Sequence, residues 1–191
     1  MTHRVTLVSP ATNPSLRQAR FDDGTTSLDN SGALQARSAR GSLPSGAGLV
    51  TSPSTRCRET AAALGLAVET ADAGPAGLDA GRWRGRTLDE VGRDEPEALT
   101  QWLADPASAP HGGESVQDLC LRVARWLDTV TESDGLTLAV VEPDVVRAAV
   151  VHVLGAPVTA FWRADVRPLT ATEISGQGER WNLRLGHTLH P

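Results

Sequence analysis

The 191-residue chain is 40% hydrophobic and 21% charged, with a formal net charge of −5 at pH 7. That length suits about one domain with a real core, and the composition excludes disorder and collagen-like repeats. All 18 basic residues are Arg, Tyr is absent and there are 5 His, so no net basic field favours sequence-independent binding to a nucleic acid backbone.

In chain order, Val5-Thr6-Leu7-Val8 predicts a strand that stops at Ser9-Pro10, where proline lacks the N–H a ladder needs. Residues 10–31 carry the Pro, Asn, Asp, Gly, Ser and Thr of a loop. A helix follows from Gly32 to Arg40, then a strand, Gly48-Leu49-Val50-Thr51, ended by Ser52-Pro53. Thr55 to Leu64 predicts a helix with Gly65 as its C-terminal cap. Residues 66–86 predict an ordered loop holding Gly81-Arg82-Trp83-Arg84-Gly85, followed by helical stretches around 87–104 and 115–132. The second of these takes Ser115 as its N-cap and Val116, Leu119, Leu121, Val123 and Trp126 as its apolar stripe. Leu136 to Val141 is the most apolar strand candidate, and Asp144 to Leu154 predicts a helix closed by Gly155. Leu169 to Ile174 and Trp181 to Leu185 predict a closing pair of strands around Gly176-Gln177-Gly178. Strands alternating with helices, without repeat or interior linker, predict an α/β fold with a mostly parallel central sheet, as one domain over residues 1–191.

No apolar run reaches the roughly 18–20 residues that span a bilayer, and no signal-peptide core opens the chain, so no membrane partner is expected. Cys57 and Cys120 lack metal-ligand spacing and give no disulfide framework; neither metal nor cofactor is expected, and a cytoplasmic setting is the simplest. Arg4, Arg17, Arg20, Arg37 and Arg40 against Asp22, Asp23 and Asp29 leave room for a local anion site. In open parallel sheets ligands collect beyond the carboxyl ends of strands, which points to Ser9–Thr12, Ser52–Arg58 and Glu142–Asp144.

Nearly the whole chain carries a pattern of short pieces in a fixed order. They are Leu7-Val8, Arg20-Phe21 and Gly24, Leu28 with Gly32 and Gln35-Ala36, and Thr51-Ser52-Pro53 with Arg56 and Thr60-Ala61. Asp79, Gly81, Trp83 and Gly85 follow, then Gly112-Gly113-Glu114-Ser115 with Arg122, Val140-Val141, Val145-Val146-Arg147, and Trp181 with Leu185 and Thr188-Leu189-His190. Together they resemble the histidine phosphatase superfamily, the phosphoglycerate-mutase-like group that includes phosphatases of the ribazole phosphatase type. The resemblance implies a three-layer sandwich, with helices on both faces of the sheet. It also implies phosphoryl transfer through a phosphohistidine, with arginines and a second histidine on the phosphoryl oxygens and an acidic residue protonating the leaving group.

At the decisive positions the sequence departs. Ser9, Pro10 and Ala11 stand where the family has Arg-His-Gly, and the tertiary amide nitrogen of proline is no nucleophile. Glu142 replaces the second histidine, with Pro143 and Asp144 after it, and the leaving-group acid falls on Gly77. Of the phosphate clamp Arg56 remains. Losing a nucleophile alone costs on the order of 10^6 in turnover, so the expectation is a degenerate site in a binding or regulatory module, for an anionic small molecule or a protein partner, as monomer or homodimer. The alternative is an enzyme with a rebuilt site in which Glu142 or Asp144 is acid or base.

Two readings stand for Arg56, a residual anion clamp or an internal ion pair with Glu142 or Asp144. For Glu142 they are a salt bridge, ligand recognition or a general base. Ser9 and Thr12 are ligand-donor candidates that equally suit turn capping, and His111 is a candidate at the rim of the pocket. Cys57 beside Arg56 is expected as a buried small residue, and His152 as a core or interface histidine. Arg82-Trp83-Arg84 offers either a cationic stacking surface or a core aromatic between two arginines. Trp102, Trp126, Trp162 and Trp181 suit core or dimer-contact roles, and His3, His187 and His190 structural or solvated ones.

Overall fold

The computed structural model describes residues 3–45, 47–67, 71–131, 135–177 and 180–190. Five strands, β1 (His3–Val8), β2 (Gly48–Thr51), β3 (Leu136–Val140), β4 (Thr170–Gln177) and β5 (Arg180–Thr188), form one sheet in the order β2-β3-β1-β4-β5. β2, β3 and β1 are parallel, and β4 and β5 add antiparallel at one edge. Helices follow as α1 (Pro14–Arg17), α2 (Asn30–Ser38), α3 (Thr55–Ala63), α4 (Leu88–Asp94), α5 (Pro96–Ala104), α6 (Val116–Thr131) and α7 (Pro143–Val153).

Alternation along the strands divides the core between the two sheet faces. Val5, Leu7, Ala139 and Ile174 pack with residues of α6 and α7, whereas Val8, Leu138, Val140 and Ala171 pack with Cys57, Ala61 and Leu64 from α3 and its cap. The expected three layers are therefore present. Register carries the consequence for a site: Val8 and Thr51 both stand opposite Val140, so the segments leaving β1, β2 and β3 emerge at one level.

Local differences from the sequence reading have simple causes. The 87–104 stretch breaks into α4 and α5 at Glu95-Pro96, because Pro96 has no N–H to continue the first helix. Asn13 caps the short α1 within the expected loop, accepting from the Leu16 N–H at 2.9 Å. Ser115 does cap α6, accepting from the Asp118 N–H at 3.0 Å. Val116, Leu119, Val123 and Trp126 are buried, but Leu121 lies off that face and is exposed. The expected turn at Gly176-Gln177-Gly178 falls partly inside β4, and Gly178 lies outside the described residues.

Trp83, within a 3-10 turn (Gly81–Trp83), is the largest fully buried side chain. Its ring meets Phe21, Trp102 and His111 at centroid distances of 5.3, 5.7 and 4.9 Å, and its Nε1 donates to Glu95 at 3.1 Å. The Trp83→Ala variant is expected to lose about 3–5 kcal/mol of stability, the usual cost of deleting a buried indole, read as a lower urea midpoint at unchanged slope.

Candidate functional site

At the end of β2 the chain turns through Ser52-Pro53 and enters α3, whose N-cap Ser54 accepts from the Cys57 N–H at 3.3 Å. This cap fixes the first turn of α3 and aims Arg56 inward, where only 6% of the residue is exposed. At the end of β3, Val141 and Glu142 lead into α7, with Glu142 at the N-cap and Pro143 in the first turn. Glu142, 5% exposed, thus meets Arg56 at the level set by the strand register.

The two side chains form a buried, two-pronged ion pair. Arg56 Nε lies 2.9 Å from Glu142 Oε2 and 3.1 Å from Oε1, and its terminal nitrogen also bonds Oε2. Ser54 Oγ donates to Glu142 Oε1 at 2.6 Å, and Cys57 Sγ lies 3.4 Å from the same oxygen. Asp22 approaches Arg56 Nε from another side at 3.5 Å. Burial opposes the Arg56 charge, but Glu142 and Asp22 outweigh it and hold the pKa above its ordinary value. The reverse acts on the neighbours: burial, then the Glu142 charge, pushes both Asp22 and the Cys57 thiol upward.

Asp144, in the first turn of α7, is half-buried and has no salt-bridge partner among the described residues; it accepts instead from the N–H groups of Leu78 at 2.6 Å and Val145 at 2.8 Å. Burial, then the nearby Glu142, raises its pKa to about 6. Gly77 lies against this pair, and a Cβ there would sit 2.9 Å from Glu142 Cγ. The 74–77 segment is tied to α6 by Arg122, which donates to the carbonyls of Gly74 at 2.6 Å and Ala76 at 3.0 Å while pairing with Glu114.

These groups line a cleft of about 870 Å³ that also presents Arg20, Asp23, Asp79, Arg84, Arg147 and Asp165. Arg84 pairs with Asp79 at 2.6 Å, and Arg20 donates to the Gly85 carbonyl. Sequence reasoning did not select Asp165, and it reached Ser54 only within the Ser52–Arg58 span, Asp22 only in a charge cluster, and Glu114 and Arg122 only as parts of the family pattern, without a role for any of them. The legible signals were a Ser-x-Arg helix start for Ser54 and, for Glu114 and Arg122, two opposite charges flanking one N-cap.

Ser9, Thr12 and His111, the ligand-donor candidates of the sequence, do not line the cleft. Ser9 is fully buried and its hydroxyl donates to the Arg167 carbonyl, while its backbone joins Leu169 and Thr170. Pro10 and Ala11 are buried beside it, and Ala11 N–H donates to Thr60 Oγ1 at 3.0 Å. Thr12 Oγ1 donates to Asp29, the N-cap of α2, at 3.1 Å. His111 turns away from the rim, 1% exposed against Trp83; its Nδ1 accepts from the Gly113 N–H at 3.0 Å, and burial lowers its pKa. Cys57 is buried, whereas His152, expected in the core or an interface, is exposed on α7. Trp83 is core, and Arg82 and Arg84 are paired to Glu95 and Asp79, which removes the stacking-surface reading. Among the described residues no helix is long and apolar enough to cross a membrane.

Residues 13–187 match the histidine phosphatase superfamily (branch 1). The chain belongs to that superfamily. The match begins beyond Ser9, Pro10 and Ala11. Over 125 residues, 62% of this chain, it is 35% identical to the bifunctional protein Rv2228c of Mycobacterium tuberculosis, and it spans about a third (34%) of the length of that relative. Solved structures share its fold. The mycobacterial glucosyl-3-phosphoglycerate phosphatase Rv2419c with VO3 superposes at TM-score 0.83 and 24% identity, covering 98% of this chain and 99% of that one. The α-ribazole phosphatase of Shigella flexneri superposes at 0.85 and 20% identity, covering 98% and 97%.

Two measurements test the electrostatics of this superfamily member. Breaking a buried pair leaves an uncompensated charge, so Arg56→Ala is expected to cost about 3–5 kcal/mol, whereas the double change Arg56→Met with Glu142→Leu costs less than that single change; denaturant titrations compare them. Because the Asp144 carboxyl keeps its proton to higher pH when folded, the native state binds more protons than the unfolded chain between about pH 4 and 6. Stability therefore falls as pH rises through that window and levels off above it. Melting curves from pH 4 to 8 should show the wild type losing ground steadily to Asp144→Asn over that interval and not beyond it.

Proposed function

We propose that this protein is a non-catalytic histidine phosphatase homologue that works as a binding or regulatory module. The observation that carries this reading is the Arg56–Glu142 pair, in which a carboxylate already takes the guanidinium fork that a phosphoryl group would need. A phosphomonoester entering there meets Glu142, Asp144 and Asp22 together, and like charges repel it. At the position of the family's nucleophile, Pro10 supplies a tertiary amide nitrogen without a lone pair to attack phosphorus. Where a leaving-group acid would align, Gly77 has no proton to give.

Of the two ligand classes expected from sequence, the cleft leans toward a protein partner. Its lining holds five arginines (Arg20, Arg56, Arg84, Arg122, Arg147) against seven carboxylates (Asp22, Asp23, Asp79, Glu114, Glu142, Asp144, Asp165), a balance that disfavours a free polyanion. Purified protein is expected to hydrolyse p-nitrophenyl phosphate and a panel of sugar phosphates no faster than its Arg56→Ala variant. Hydrolysis that this substitution abolishes would overturn the reading.

One observation favours a second reading, a rebuilt acid–base site. A carboxyl with a pKa of about 6 on the wall of a cleft suits proton transfer near neutrality. Asp144 is better placed for this than Glu142, whose oxygens are both engaged by Arg56 and Ser54. A turnover with an inflection near pH 6 that disappears in Asp144→Asn would replace the first reading by this one.

A further inference from the structure

We infer that Glu142 is a tethered occupant of an oxyanion cradle, and that its carboxylate is what keeps inorganic phosphate or sulfate out. This rests on the non-catalytic reading of the site and adds how the site is held shut.

The donors that grip Glu142 are positioned without it. Ser54 is fixed as the α3 cap by the Cys57 N–H at 3.3 Å, and the Thr55 N–H donates to the Gly24 carbonyl at 2.9 Å, pinning the first turn. Asp22 steadies Arg56 from a separate loop at 3.5 Å. Removing the Glu142 side chain therefore leaves a buried guanidinium fork and a hydroxyl donor facing the same point, at the wall of a cleft of about 870 Å³. Two oxygens of a tetrahedral oxyanion match the fork as the two carboxylate oxygens do, and a third reaches the hydroxyl.

The tether explains why a free anion loses. Glu142 sits at the N-cap of α7 behind a proline, so its carboxylate is delivered at the cradle with little freedom left to lose. A group attached this way competes at an effective concentration of mM or more. Asp22, 3.5 Å from Arg56, and Asp144 on the same cleft wall further weaken any incoming anion.

The experiment is a titration of inorganic phosphate, at constant ionic strength with chloride as control, into wild type, Glu142→Ala, Glu142→Ser and the double variant Glu142→Ala with Arg56→Ala, read by calorimetry and by melting temperature. Wild type is expected to show no saturable binding and no phosphate-dependent melting shift. Glu142→Ala is expected to bind phosphate saturably and to regain part of its lost melting temperature as phosphate is added; the double variant loses both effects. Glu142→Ser, with a smaller void, should behave as Glu142→Ala and stands in for it should the alanine variant not fold. A folded Glu142 variant without phosphate binding overturns the inference, as does wild-type binding equal to the variant's. Equilibrium binding is read here, not turnover, so hydrolysis by wild type would sink the non-catalytic reading while leaving this result separately legible.

Discussion

A guanidinium cannot give up its charge, so a fold that buries Arg56 to 6% exposure must bring it a counter-charge and satisfy its N–H groups. Glu142 meets that demand from the end of β3, and the surroundings follow from the meeting of these two side chains. Ser54 caps α3 with the hydroxyl that also holds Glu142, so helix start and ion pair share one atom. Asp22 comes close enough to Arg56 to share its charge. Three carboxylates around one cation leave an excess of negative charge, and Asp144, turned toward backbone N–H groups instead of Arg56, has its pKa raised first by burial and then by the Glu142 charge.

Positions 77 and 142 are sterically coupled. A Cβ at Gly77 would sit 2.9 Å from Glu142 Cγ, so a side chain in that position requires Glu142 or the 74–77 loop to shift. Arg122 prevents the loop from simply moving aside, since it holds the Gly74 and Ala76 carbonyls while being fixed by Glu114. The β1 exit is closed differently. Ser9 is drawn into the bonds of the Arg167–Thr170 segment, and Pro10 and Ala11 are packed away from the cleft. Leu169 adopts a positive φ of 52° there, a strained conformation for a branched side chain, held by backbone bonds to Ser9 and Leu189.

What was legible in the sequence was set by local rules. Val5–Val8, Gly48–Thr51 and Leu136–Val141 appear as strands because alternating apolar runs end at Ser-Pro or at a helix start, and those ends placed Arg56 and Glu142 near one another. The salt-bridge alternative for that pair needed only opposite charges at two converging loops. Adjacency in sequence to a candidate loop says nothing about which way a side chain turns, and Ser9, Thr12 and His111 lie off the cleft. His111 lies next to Gly112-Gly113, where the close crossing with the 79–81 segment faces it into the aromatic core. Asp22 and Glu114 reach the site on loops, and Arg122 from the α6 face turned to the 74–77 segment; where these meet depends on tertiary packing, which no periodicity encodes.

The choice of residue that fills the clamp carries a further implication. A buried ion pair offers little net stability over a well-packed apolar pair of similar volume, since desolvation consumes most of the Coulombic gain. Closing the clamp for stability alone would be served as well by hydrophobic side chains at both positions. A carboxylate does something an apolar plug does not: it keeps the cation, the hydroxyl donor and their geometry intact behind a group that competes on equal chemical terms with an outside anion. On the non-catalytic reading proposed above, the site is neutralised without being dismantled, and what separates a closed form from an open one is the strength of a single tethered contact.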